Sequence, residues 1–116
     1  MNPARPAAGV RLCALDELKD PGSKGFVWRA DGVLFAGFVV RVENEVLGYV
    51  DRCPHIGSPL ALEPDRYLTR DGDMILCSTH GALFRRGDGL CKAGPCVGLK
   101  LPPWPVRVVG GEVFTA

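Results

Sequence analysis

The chain has 116 residues, of which 47% are hydrophobic and 23% charged, and its formal net charge is +1. This length suits one globular domain with one core, and the absence of a basic stripe argues against nucleic acid as a partner. No apolar run approaches the ~18 residues of a membrane span, and the opening residues lack the apolar stretch of a signal peptide. We therefore expect a cytoplasmic protein that binds neither nucleic acid nor a membrane.

Almost every element predicted along the chain is a strand. Residues 1–9 contain two prolines and small residues and are expected to be a flexible N-terminus, while residues 10–116 are expected to form a single domain. Residues 10–15 alternate like a short strand, and the polar segment 15–25 predicts a connection with room for one helical turn.

Four β-hairpins are predicted further along. The first joins Val33–Val42 to Val46–Val50 through the polar turn "ENE", and the second turns at Asp71-Gly72 and leads through Met74–Leu76 into Cys77. The third turns at "GDG", residues 87–89, and the fourth at Gly110-Gly111. No segment shows helical periodicity over ten residues, so the predicted fold class is all-β, an antiparallel sandwich or small barrel.

Both histidines of the chain stand close to cysteines. In "CPHIGSPL", Cys53 and His55 are two residues apart, and in "CSTHGALF", Cys77 and His80 are three apart. Positions 56–76, twenty-one residues, separate the two pairs. Each pair follows a predicted strand and offers one thiolate and one imidazole, so two loops could bring four metal ligands together.

Four convergent Cys and His ligands suit either zinc or a histidine-ligated 2Fe-2S cluster. Zinc sites of this composition usually place two cysteines together and two histidines together. Here each pair is mixed, as a two-iron cluster requires if both cysteines bind one iron and both histidines the other. The spacing favours the iron cluster, and a structural zinc-binding module is the alternative.

The two motifs resemble the Rieske 2Fe-2S family, C-x-H followed by C-x-x-H, and the resemblance extends over nearly the whole chain. It implies that Cys53 and Cys77 bind the buried iron and that His55 and His80 bind the iron nearer the surface. The cluster-binding part would span about residues 51–98. It also implies a third, covering loop at Gly94-Pro95. The gap between the pairs is longer than is usual in the ferredoxin branch of this family.

Neutral imidazoles in place of thiolates make a cluster easier to reduce, because the oxidised form carries a formal charge of about zero instead of about −2. High-potential Rieske proteins add a Ser and a Tyr in the second loop and a disulfide between the loops. The positions that correspond here are Ala82, Phe84, Ser58 and Ser78. We therefore expect a potential at the low end of the Rieske range, roughly −150 to 0 mV.

The chain has only two histidines, which limits the kinds of redox protein it can be. A Rieske oxygenase needs a second iron held by two histidines and a carboxylate, and both histidines are already used. A G-x-G-x-x-G nucleotide fingerprint is also missing, so a complete reductase is excluded. The expected function is a one-electron carrier, not catalytic alone. Its donor would be a flavoprotein reductase and its acceptor an oxygenase or another redox enzyme. A redox-sensing, regulatory or structural subunit that holds the same cluster is the alternative hypothesis.

Three cysteines lie outside the motifs. Cys13 falls in an apolar strand and is expected in the core. Cys91 and Cys96 could be a redox pair or extra ligands, but small buried thiols that pack near the covering loop are the favoured reading. Ile56, Leu60 and Leu83, which neighbour the ligands, are expected to shield the cluster from water.

Overall fold

The computed structural model describes residues 2–55 and 57–116. Over these residues the fold consists of β-strands and one turn of 3-10 helix, Leu15–Glu17. The strands are β1 Arg11–Ala14, β2 Gly22–Ala30, β3 Val33–Val42, β4 Glu45–Val50, β5 Met74–Cys77, β6 Ala82–Arg85, β7 Cys91–Ala93, β8 Val106–Val109 and β9 Glu112–Thr115.

The strands form three antiparallel sheets of three strands each. Their orders are β1-β9-β8, β2-β3-β4 and β5-β6-β7. The predicted all-β antiparallel class is therefore confirmed. Across residues 2–55 and 57–116, no helix has the length and apolarity needed to cross a bilayer.

The predicted hairpins account for much of this topology. β3 pairs with β4, β6 with β7 and β8 with β9, each across the turn that the sequence indicated. The turn at Asp71-Gly72 is also present, but its first arm is only an isolated bridge between Leu68 and Ile75. The single turn at Leu15–Glu17 agrees with the room left for one helical turn.

The sequence predicts a polar connection over residues 15–25, but the structure shows that strand β2 already begins at Gly22. β2 pairs with β3 along its whole length, from Gly22 opposite Arg41 to Ala30 opposite Val33. Its first half, "GSKG", has no apolar alternation, so pairing with the strongly apolar β3 determines its conformation.

The buried side chains form two clusters. One surrounds Trp104 and includes Cys13, as expected for that thiol, and four aromatic rings meet there at centroid distances of 5.4–6.3 Å. The other lies beneath the two Cys/His loops and includes Phe38, Tyr67 and four cysteines. These cysteines are Cys53, Cys77, Cys91 and Cys96.

The N-terminal segment lies against the folded strands. Ala4 is buried, the Asn2 side chain donates to the carbonyl of Leu34 at 3.0 Å, and Gly9 donates to the carbonyl of Thr115 at 2.8 Å. The flexibility of residues 1–9 stays a prediction.

Candidate metal centre

The two Cys/His motifs fold into equivalent turns. In the first, the carbonyl of Cys53 accepts the N–H of Gly57 at 2.7 Å, and in the second, the carbonyl of Cys77 accepts the N–H of Gly81 at 2.9 Å. Both glycines have positive φ, +76° and +73°, which residues with a side chain rarely adopt. Each loop therefore starts at its cysteine, closes at its glycine and carries its histidine in between.

The four predicted ligands divide into a buried pair and an exposed pair. Cys53 is 2% exposed and Cys77 1%, whereas His55 and His80 are exposed. The two imidazole rings meet edge to face, with centroids 5.1 Å apart and an interplanar angle of 77°. Buried thiols and exposed imidazoles are the positions that an inner and an outer iron would need, and the ligation of these irons by the four residues stays a prediction.

The protein environment shifts the pKa of the second cysteine in both directions. Burial raises the pKa of the Cys77 thiol, and the neighbouring Cys53 sulfur raises it further. The N–H groups of Thr79 and His80 oppose this rise by donating hydrogen bonds to the Cys77 sulfur. Such donors stabilise the thiolate, which is the form of cysteine that binds metal.

A backbone hydrogen bond joins the two loops. The N–H of Ser78 donates to the carbonyl of Leu60 at 2.8 Å, and the N–H of Cys53 donates to the carbonyl of Ser58 at 2.8 Å. The hydroxyl of Ser58 is buried and has no hydrogen-bond partner among the described residues. Leu60 is fully buried and Leu83 half-buried, while the third residue expected to shield the site, Ile56, lies outside the described residues.

The third loop packs directly on the second. Gly94 approaches the backbone of Ala82 so closely that a Cβ at this position would lie 2.8 Å from the Ala82 Cα. Ala82 pairs with Cys77 across β5 and β6, so the Gly94-Pro95 loop lies close to the second motif. This position agrees with the covering loop implied by the sequence resemblance.

Cys91 and Cys96 bring a second pair of thiols to the same region. Both are buried, and the Cys96 thiol donates to the Cys91 sulfur at 3.1 Å, while the Cys91 thiol donates to the carbonyl of Ala93 at 3.2 Å. Burial and the Cys91 sulfur raise the pKa of Cys96 to about 12, so this thiol keeps its proton at neutral pH.

Sequence reasoning missed two residues beside the loops, Asp51 and Tyr67. The Asp51 carboxylate accepts the N–H of Leu60 at 2.8 Å and the hydroxyl of Tyr67 at 2.9 Å. The only sequence signal for Asp51 was its place two residues before Cys53. Tyr67 carried none, because 16 residues separate it from its partner in the chain.

Within the described ranges, no three or more Cys, His, Asp or Glu side chains come close enough together to hold a metal ion. The candidate ligands occur as two pairs, the buried thiols of Cys53 and Cys77 and the exposed imidazoles of His55 and His80. A two-metal centre with a different ligand type on each metal needs two such pairs.

Residues 9–105 match the family model for the Rieske [2Fe-2S] domain. Among curated proteins, Ferredoxin CarAc of Metapseudomonas resinovorans is 31% identical over 107 residues, which are 92% of each chain.

Solved structures of similar size also match. The ferredoxin of carbazole 1,9a-dioxygenase from Nocardioides aromaticivorans IC177 superposes with a TM-score of 0.70 at 27% identity, covering 95% of this chain and 98% of that one. A chain from the complex of reduced oxygenase and oxidized ferredoxin in carbazole 1,9a-dioxygenase superposes with a TM-score of 0.69 at 28% identity. That match covers 92% of this chain and 100% of the other.

Proposed function

The chain belongs to the Rieske [2Fe-2S] domain family, and from this membership we propose that it is a ferredoxin that carries single electrons to an oxygenase. The observation that carries the proposal is the pairing of two buried thiols with two exposed imidazoles on equivalent turns. This arrangement gives a cluster a protected side and an accessible side.

The proposed ligands are Cys53 and Cys77 on the inner iron and His55 and His80 on the outer iron. The chemistry of the donors fits a 2Fe-2S cluster, because the thiols lie beside each other in the core and the imidazoles beside each other at the surface. The N–H donors around the Cys77 sulfur support the same assignment. The cluster-binding part is about residues 51–98.

The bound cluster would accept and release one electron at a time. The residues of this chain set how readily it does so. Cys53, Cys77 and Leu60 are buried, so the inner side of the site excludes water, while the exposed imidazole edges give an electron a short path to a partner. The side chains at Ala82 and Phe84 cannot donate hydrogen bonds to a sulfur, which supports a potential at the low end of the Rieske range.

The similar proteins support the choice of electron acceptor. A ferredoxin of the same size lies in a complex with an oxygenase, and we propose that an oxygenase is also the acceptor of this chain. The donor would be a flavoprotein reductase. Docking would be brief and would involve a small surface at the exposed histidines.

The test is spectroscopic and then kinetic. Protein purified without air is assayed for iron, sulfide and zinc, and its visible spectrum and low-temperature EPR are recorded before and after dithionite. A reducible 2Fe-2S centre with the low average g value of histidine ligation supports the proposal. A colourless protein with one zinc, even after reconstitution, would contradict it. Transfer of electrons from a flavoprotein reductase to an oxygenase then distinguishes a carrier from a sensor.

A further inference from the structure

A carboxylate joins the two segments that flank the first ligand loop. Asp51 precedes Cys53 by two residues, and its Oδ1 accepts the N–H of Leu60, three residues after the closing glycine of the loop, at 2.8 Å. The Asp51 carboxylate therefore holds the two flanking segments together. Hydrogen bonds to a charged group are about twice as strong as neutral ones.

Leu60 extends this restraint to the second loop. Its carbonyl accepts the N–H of Ser78, the residue after Cys77, at 2.8 Å. Leu60 is fully buried, so water does not compete for these backbone bonds. A continuous hydrogen-bonded path thus runs from Asp51 through Leu60 to the second loop.

Tyr67 holds the carboxylate from the other side. Its hydroxyl donates to Oδ2 of Asp51 at 2.9 Å, and its ring stacks on Phe38 with centroids 4.2 Å apart and an interplanar angle of 2°. The carbonyl of Tyr67 accepts the N–H of Leu76, the residue before Cys77, at 2.9 Å. Tyr67 therefore contacts both the base of the first loop and the strand that carries the second.

We propose that Asp51 and Tyr67 are positioning residues, a hydrogen-bonded clamp that fixes the first ligand loop relative to the second. The clamp would replace the disulfide that joins the two loops in high-potential Rieske proteins. In this chain the positions that correspond to that disulfide are Ser58 and Ser78, and the five cysteines are free thiols. Tyr67 belongs to the long segment 56–76, so this segment has a function in the site. The inference rests on the proposed 2Fe-2S ligation.

The first test compares two tyrosines. Tyr67→Phe removes the hydroxyl from Asp51, and Tyr49→Phe is the matched control. Tyr49 is equally buried, 4% against 6%, but its hydroxyl donates to the carbonyl of Arg86, away from the ligand loops. The readouts are the half-life of the visible absorbance in excess chelator and the EPR line shape of the reduced protein. We expect Tyr67→Phe to shorten the half-life roughly fivefold and broaden the EPR lines, and Tyr49→Phe to change neither.

The second test distinguishes the effect of the Asp51 hydrogen-bond acceptor from the effect of its negative charge. Asp51→Asn can still accept the Leu60 N–H, so it should retain the cluster, but loss of a negative charge near Cys53 should raise the midpoint potential. Asp51→Ala removes the acceptor and should release the cluster faster than Asp51→Asn. An Asp51 that supported the fold without lying close to the metal centre would leave the potential of Asp51→Asn unaltered.

The outcomes distinguish this inference from the function on which it rests. If the wild-type protein shows no histidine-ligated 2Fe-2S signal, the proposed function fails. If the wild-type signal is present but Tyr67→Phe behaves like Tyr49→Phe, the clamp is refuted while the ferredoxin function stands. Equal release rates and potentials for Asp51→Asn and wild type, together with unaltered release in Asp51→Ala, would also refute it.

Discussion

Gly94 packs on Ala82 so tightly that a Cβ at Gly94 would lie 2.8 Å from the Ala82 Cα and 3.2 Å from its backbone N. Backbone atoms of a paired strand cannot move aside as the end of a flexible side chain can. Gly94 also has φ +95°, so a side chain there is strained as well as crowded. Gly94→Ala should therefore push the third loop away from the second, at a cost of about 2–3 kcal/mol in stability.

Gly98→Ala is the matched control for this prediction. Gly98 lies in the same loop with φ +92°, but a Cβ there would meet nothing within 4 Å. It should cost about 1 kcal/mol from backbone strain alone. Thermal unfolding gives the stability of both variants, and chelator release gives the exposure of the site. Equal release rates for the two variants would show that the third loop does not cover the ligands.

Replacement of a proposed histidine ligand by cysteine should lower the midpoint potential. In His80→Cys a neutral imidazole becomes a thiolate, which adds a negative charge to the cluster. The expected fall is on the order of 100 mV, because the exchange of both histidines separates Rieske centres from plant-type ferredoxins by roughly 250 mV or more. Redox titration followed by EPR measures the change. As a control, Thr79→Ser changes an exposed neighbour and should leave the midpoint potential unaltered. If His80→Cys also left the potential unaltered, the assignment of His80 as a ligand would be refuted.

The Asp88 carboxylate provides a test of local electrostatics. A hydrogen bond from Arg85 lowers the pKa of Asp88 to about 2, and the N–H of Leu90 contributes in the same direction. A lowered pKa means that the pair stabilises the fold above about pH 4 and that this contribution is lost as the pH falls toward 2. NMR titration of the carboxyl carbon should give the low value, and Arg85→Met should return it toward the ordinary value, about 3.9. A titration unaffected by Arg85→Met would exclude Arg85 as the cause.

Local signals in the sequence were enough to predict the ligand loops. Cys53, His55, Cys77 and His80 lie within short segments, and the glycine that closes each turn follows within four residues of its cysteine. The hairpins at Glu43–Glu45 and Gly110-Gly111 were predictable for the same reason, since turn chemistry is set by adjacent residues.

Long-range pairings were not predictable in this way. Strand β2 depends on its partner β3, because "GSKG" has no strand pattern of its own. Asp51 and Tyr67 meet only after the segment between them has folded back, and a lone Asp or Tyr gives no motif to recognise. Local patterns therefore predicted the proposed ligands, whereas the residues that hold them in place became visible only in the folded chain.

The last prediction concerns which buried thiols bind iron. Four cysteines lie in one cluster, but only Cys53 and Cys77 open turns that carry a histidine. The Cys91 thiol donates to the Ala93 carbonyl and the Cys96 thiol donates to the Cys91 sulfur, as thiols packed in a core do. The double variant Cys91→Ser/Cys96→Ser should therefore keep full iron and sulfide and an unaltered EPR spectrum.

The single variants Cys53→Ser and Cys77→Ser should each lose most of the cluster. Cys13→Ser controls for the loss of a buried thiol as such, because Cys13 lies in the other core cluster, beneath Trp104. Iron and sulfide per chain, measured after identical reconstitution, compare the four variants directly. Loss of the cluster in the double variant, with retention in Cys13→Ser, would mean that Cys91 or Cys96 takes part in ligation and that the assignment of two thiols and two imidazoles is incorrect.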